Sequence, residues 1–174
     1  MSETVPSPST TTVRLVGGPD DWREQTLSHL TETDLAGPRD SLGAYLVSSL
    51  VPADHPDPGA RAVYEPDVEP GSPRVWFFRG WSPFSPTAAE LRTADHHQGV
   101  DVILDGDQIP TEWVTDAGDR YRVDRILGHW EATGENDLAP DRWHIRSVSR
   151  DWELLAHPGH WEAGLLPHQD EDME

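Results

Sequence analysis

Hydrophobic positions along the chain fall in short runs, many alternating with polar residues and most bounded by Pro, Gly or Asp. Such period-two runs between turn residues predict short β-strands. The pattern is clearest over residues 118–166. Trp143, Ile145 and Ser147 alternate with Arg142, His144 and Arg146. Trp152, Leu154 and Ala156 share one face, His157-Pro158-Gly159 turns the chain, and Trp161, Ala163 and Leu165 answer them. Upstream, Glu112-Trp113-Val114 and Tyr121-Arg122-Val123 flank Asp116-Ala117-Gly118-Asp119, a hairpin with Gly at the left-handed position. Ile126 and Trp130 fall out of step, so either a bulge or a helical turn lies over 126–131. Val100–Leu104 reads as a strand. Asp105-Gly106-Asp107 reads as a tight turn with φ > 0 at its centre, pairing that strand with 108–114.

The first half gives weaker but similar signals. VRLV (13–16) is a strand, and Gly17-Gly18-Pro19-Asp20-Asp21 is a turn in which the glycines permit φ > 0. Residues 22–30 read as a strand or as a short helix. Residues 43–51 and 60–64 are strands separated by a Pro-dense loop, and residues 65–73 form a hairpin-like connection. Val75–Trp81 is the most aromatic strand. Strict alternation puts Trp76, Phe78 and Gly80 on one face and Val75, Phe77, Arg79 and Trp81 on the other. Either both faces are packed or one is an apolar patch that meets a partner.

These elements predict a mainly β protein of two small antiparallel units, each a roll or small barrel, with at most one or two short helices. The expected order is a disordered tail over 1–12, a first β unit over 13–82 and a linker over 83–99 with one or two helical turns near 87–93. A Trp-rich β unit over 100–166, with a loop at 134–140, and an acidic tail over 167–174 complete the chain.

Two resemblances accompany this pattern. Leu15-Val16-Gly17-Gly18-Pro19-Asp20-Asp21, Tyr45, Tyr64 and Val75–Trp81 resemble small proteins of actinobacterial phages and prophages, with Trp22 where those carry Gly. That resemblance implies a genomic setting and no activity. Pro110, Trp113, Gly118, Tyr121, Val123, Ile126, Leu127, Trp130, Gly134, Trp143, Ile145, Trp152, Glu153, Leu154 and Trp161 are similar to a small actinobacterial domain of unknown function. It occurs alone or beside Y-family-type DNA polymerases. The matched residues are of core type, so this resemblance implies a fold and no site.

Composition narrows the function classes. The chain has 174 residues, 35% of them hydrophobic, and its eight Trp offset part of the apolar deficit. It has no Cys, which excludes disulfides, thiol catalysis and Cys-ligated zinc. No apolar run is long enough to span a membrane. The first twelve residues lack the basic and apolar regions of a signal peptide, so the expected location is cytoplasmic. Formal net charge is -19, and all 13 basic residues are Arg. Residues 13–82 and 112–168 each hold six Arg against eleven acidic residues. This balance disfavours direct nucleic-acid binding, which needs basic surface.

Candidate chemistry is sparse. Asp95, His96, His97 and Asp101 bring candidate metal ligands together within seven residues. His157 and His160 flank a turn. No nucleophile elbow, phosphate-binding loop or calcium loop is present, and no cofactor is implied. Trp76, Phe77, Phe78, Arg79 and Trp81 are the interface candidates, because Trp and Arg dominate binding hot spots. The preferred reading is a non-enzymatic module that binds a protein partner or itself. The alternatives are an acidic DNA mimic that inhibits a nucleic-acid enzyme, and a metal-dependent enzyme using Asp95, His96 or His97, and Asp101.

Overall fold

Residues 9–68, 71–84, 91–132 and 139–168 are described by a computed structural model of the chain. The expectations for residues 1–8, 87–90, 134–138 and 169–174 lie outside these residues, as does part of the 65–73 connection. The protein is mainly β, with two curled, antiparallel-rich sheets.

The first sheet is built from β1 (Thr10–Val16), β2 (Thr26–Thr31), β3 (Ala44–Val47), β4 (Arg61–Pro66) and β5 (Val75–Ser82). Its order is β2-β1-β5-β4-β3. A four-residue helix, α1 (Glu32–Leu35), follows β2 and is capped by Thr31, whose hydroxyl accepts from the Asp34 amide while Asp34 accepts from the Thr31 amide. Residues 22–30 thus resolve into a turn closed on the Pro19 carbonyl and then a strand. The strand expected over 43–51 stops at Val47. Beyond it, Asp21 accepts from the Ser49 amide (3.0 Å) and Ser48 Oγ from the Leu50 amide (3.0 Å), so side chains replace the strand ladder.

β5 explains the sheet order. A strand apolar on both faces belongs at the centre of a covered sheet, and β5 is the middle of five, parallel to β1 and antiparallel to β4. Val75 and Phe77 pack with Val16 and with Trp113, Trp143, Ile145 and Leu154 of the second sheet. Trp76 packs on the other side with Val13, Leu15, Leu27, Leu35 and Tyr64. The first cluster is therefore shared by both sheets.

The second sheet contains β6 (Gln98–Leu104), β7 (Pro110–Thr115), β8 (Arg120–Arg122), β9 (Arg125–Trp130), β10 (Asp141–Ser147), β11 (Arg150–His157) and β12 (His160–Leu165). Its order is β8-β7-β6-β12-β11-β10-β9. Gly118 and Gly159 take φ +88° and +84° at their hairpin turns. The turn after β6 differs from expectation. Gln108, not the Asp-Gly pair, carries the positive φ (64°), because Asp105 Oδ1 accepts from the amides of Asp107 and Ile109 and organises a longer loop.

Two bulges shape the seam between the sheets. On β9, Gly128 pairs with His144 and Ile126 with Ile145, leaving Leu127 as the extra residue and deciding the sequence ambiguity at 126–131 for a bulge. On β5, Phe78 pairs with Tyr64 and Gly80 with Val63, leaving Arg79 unpaired. The second bulge corrects the strict alternation expected for Val75–Trp81. It shifts the register so that Trp81 joins Phe78, with ring centroids 5.7 Å apart, instead of following Phe77.

Candidate functional site

The bulge residues tie the sheets together. The Leu127 carbonyl accepts from the Gly18 amide (3.2 Å), the Arg79 carbonyl from Trp130 Nε1 (3.1 Å), and Arg79 donates to the His129 carbonyl (2.6 Å). The turn after β1 fits against this seam only because it lacks side chains. Gly17 and Gly18 have φ +80° and +82°, and a Cβ on Gly18 would strike the Tyr64 hydroxyl and the Phe78 ring. Tyr64 donates to the Gly17 carbonyl (2.8 Å), and burial pushes its phenol well up, keeping it a neutral donor.

Where the Gly18 turn, β5 and β9 meet, an open cleft of about 320 Å³ forms. Phe78 and Trp81 line it from β5 and Leu127 from the β9 bulge. Leu50, 48% exposed, closes it from the loop after β3. That loop is held in place by Asp21, which accepts from Ser48 Oγ (2.8 Å) and the Ser49 amide, and by Trp22 Nε1, which donates to the Val47 carbonyl (2.6 Å). The apolar lining is thus braced by surrounding hydrogen bonds.

The rim is charged. Arg125 NH1 lies 3.3 Å from Asp20 Oδ1, and Arg23 NH1 is also 3.3 Å from that oxygen. Arg125 Nε is buried without a hydrogen-bond partner. Burial, then the charges of Arg23 and Arg146, lower the Arg125 pKa against the opposing pull of Asp20 and Asp151. The guanidinium is thus crowded by like charge, with NH1 held by Asp20 and Nε turned away from solvent. The lining contains no Ser, Thr, Cys, His or Lys, and its single carboxylate is paired with Arg125. The chemistry on offer is binding of an apolar or aromatic group beside a hydrogen-bond acceptor.

The interface candidates divide. Trp76 and Phe77 are 2% and 5% exposed and belong to the core. Arg79 is committed to Asp67 (2.8 Å) and lies over the Phe77 ring. Phe78 and Trp81 reach the cleft. The structure does not gather Asp95, His96, His97 and Asp101 into a ligand set. Asp95, His96 and Asp101 are exposed, while His97 Nε2 lies 2.9 Å from Glu153 Oε2.

Two titratable clusters were not expected from sequence. Asp67, His129 and Arg79 form one, with His129 fully enclosed and stacked on Trp143 at 3.7 Å. Glu153, also fully enclosed, forms the other with His97, the Ala94 amide (2.9 Å) and Arg142 NH1 (2.9 Å). Neither lines this cleft, and each joins separate elements through its hydrogen bonds and ion pairs. Sequence reasoning also missed Leu50, Arg125 and Leu127 as cleft residues. The one signal was the broken alternation at Ile126 and Trp130, which marks the bulge beside the cleft.

No protein-family model, curated protein or solved structure matches this chain, and the functional reading rests on its own geometry.

Proposed function

We propose that the protein is a non-enzymatic interaction module working in the cytoplasm, and that its binding surface is the cleft lined by Phe78, Trp81, Leu50 and Leu127. The observation that supports this most strongly is the pairing of an aromatic wall with a guanidinium, Arg125, in an open cleft whose lining holds no Ser, Thr, Cys, His or Lys. The occupant is a basic protein that inserts an apolar or aromatic side chain. A net charge of -19 repels a second copy of this chain and attracts a partner of opposite sign. The interleaving of a guanidinium with carboxylates where Arg14 meets Glu24, Asp105 and Asp107 supports this reading over a DNA mimic, which needs a continuous acidic line.

Leu50→Asp tests the reading without threatening the fold, since Leu50 is half-exposed on a loop. Wild-type protein is expected to crosslink in its native lysate to a basic partner, and to lose it with Leu50→Asp, with Trp81→Ala and at high salt. Trp81→Ala removes a central aromatic anchor and is expected to cost about 2 kcal/mol or more of binding. Identical crosslinked partners for wild type and Leu50→Asp would overturn the cleft as the binding surface. A dimer of this chain, seen by light scattering and abolished by Leu50→Asp, would overturn the choice of occupant.

A further inference from the structure

The hairpin of β11 and β12 carries a feature remote from the cleft. His157 and His160 are cross-strand partners on either side of Pro158-Gly159. Directly opposed residues project to the same face of a sheet, and so do residues two apart on one strand. His157, His160 and Glu162 therefore share one face. Their ligand atoms all lie within 4.8 Å of one another, and no other group of three His or carboxylate residues converges so closely among the described residues. His157 Nε2 lies 2.9 Å from Glu162 Oε2, and the two imidazoles stack in parallel with centroids 4.5 Å apart.

We propose that His157, His160 and Glu162 bind a borderline divalent transition-metal ion, with Zn²⁺ as the natural probe. Two imidazoles and one carboxylate are the donor set such ions prefer over Mg²⁺ or Ca²⁺, which favour oxygen alone. With metal–ligand bonds of about 2.0–2.2 Å, tetrahedral donors stand roughly 3.3–3.5 Å apart. The cluster already brackets that spacing, so side-chain rotations close the site without moving backbone. The Pro-Gly turn fixes the two histidine positions in the free protein, which limits the ordering cost of binding. Glu162 pairs across to Gly99 of β6, where a Cβ would meet nothing within 4 Å. That side is open, leaving a fourth coordination position for water or for a donor from another molecule.

Calorimetric titration of the full chain with ZnCl₂ in a non-chelating buffer tests the site. One equivalent is expected to bind. His160→Ala and Glu162→Gln are each expected to weaken binding about tenfold or more, and a matching shift of the His157 and His160 ring resonances should appear on adding Zn²⁺. His160 is exposed at a turn, so its removal should leave the unfolding curve unchanged. The exposed His29 serves as control, and His29→Ala should bind as wild type does. No saturable binding would overturn the proposal. Binding undiminished in His160→Ala, or lost equally in His29→Ala, would assign the metal to scattered surface histidines and would overturn it too.

Discussion

His129 Nε2 meets Asp67 Oδ2 at 2.8 Å, joining the loop after β4 to the outermost strand of the second sheet. The other ring nitrogen, Nδ1, lies 3.0 Å from the Arg142 carbonyl. Asp67 Oδ1 is taken by Arg79 at 2.8 Å. Burial raises the Asp67 pKa, but the hydrogen bonds and charges of His129 and Arg79 outweigh it and hold the carboxyl below its usual range. Three residues from three elements thus fasten the sheets on the side where β5 and β9 bulge.

Removing one member leaves the others buried and partly unpaired. Asp67→Ala and His129→Ala are each expected to cost about 3 kcal/mol in urea denaturation. The double variant should lose less than the two losses combined, because the residues share one network. Strict additivity would show that the contact couples nothing.

The fold class was legible in the sequence because alternation is a local signal. Trp143 against His144, or Leu154 against Glu153, needs no knowledge of the rest of the chain. The register of β5 was not legible, because an extra residue such as Arg79 leaves no mark in composition and still moves Trp81 to the other face, whereas the β9 bulge showed as broken alternation at Ile126 and Trp130. The cleft depends on both bulges together, so its residues could not be assembled from strand patterns alone. The Asp67–His129 pair spans 62 positions with no shared motif. By contrast, the His157–His160 pair was visible as a spacing. Its third member, Glu162, emerged only once the hairpin register was known.

His144 makes stability depend on pH. Burial pushes its imidazole down to about 4; Glu153 opposes this, and Arg92 and Arg142 add to it. In the unfolded chain the ring titrates near 6.5. The unfolded state therefore takes up the proton first as pH falls, and the folded state loses stability from about pH 6.5 down to about 4. The full loss is about 3 kcal/mol. His144→Phe keeps the edge-on packing against Trp130 (5.0 Å) and removes the titration. Urea midpoints at pH 7.5 and pH 5 should then differ much less than in wild type. Equal pH dependence in the two proteins would sink the assignment.

The turn between β10 and β11 is strained. Ser147 pairs with Arg150, so Val148 and Ser149 are its two central residues, with φ +51° and +60°. Both being left-handed is the geometry that Asn-Gly adopts readily and that a β-branched residue resists. Val148 is also 60% exposed, so its side chain gains little from packing. Replacing Val148-Ser149 with Asn-Gly should raise stability by about 1 kcal/mol, read as a higher urea midpoint with unchanged slope. A lower midpoint would show that Val148 makes contacts worth more than the strain.

Gly164 is required by what crosses it. A Cβ there would collide with Ala94 Cβ, the His96 carbonyl and the His97 ring, so the 91–97 segment lies directly on β12. That segment delivers the Ala94 amide and His97 Nε2 to Glu153 Oε2, each at 2.9 Å. Glu153 has no exposure and projects from the strand paired to β12, with Gly164 as its cross-strand partner. Gly164→Ala must lift the segment and strip two of the carboxylate's partners, leaving only Arg142. A buried charge with its partners withdrawn costs several kcal/mol, so Gly164→Ala should destabilise by about 2–4 kcal/mol, far beyond the effect of one added methyl at an open site. Gly99→Ala, where a Cβ meets nothing, is the control and should be near neutral. Hydrogen exchange separates the mechanisms. The Ala94 amide should be protected in wild type and exchange rapidly in Gly164→Ala if the segment lifts, and it should stay protected if β12 yields instead.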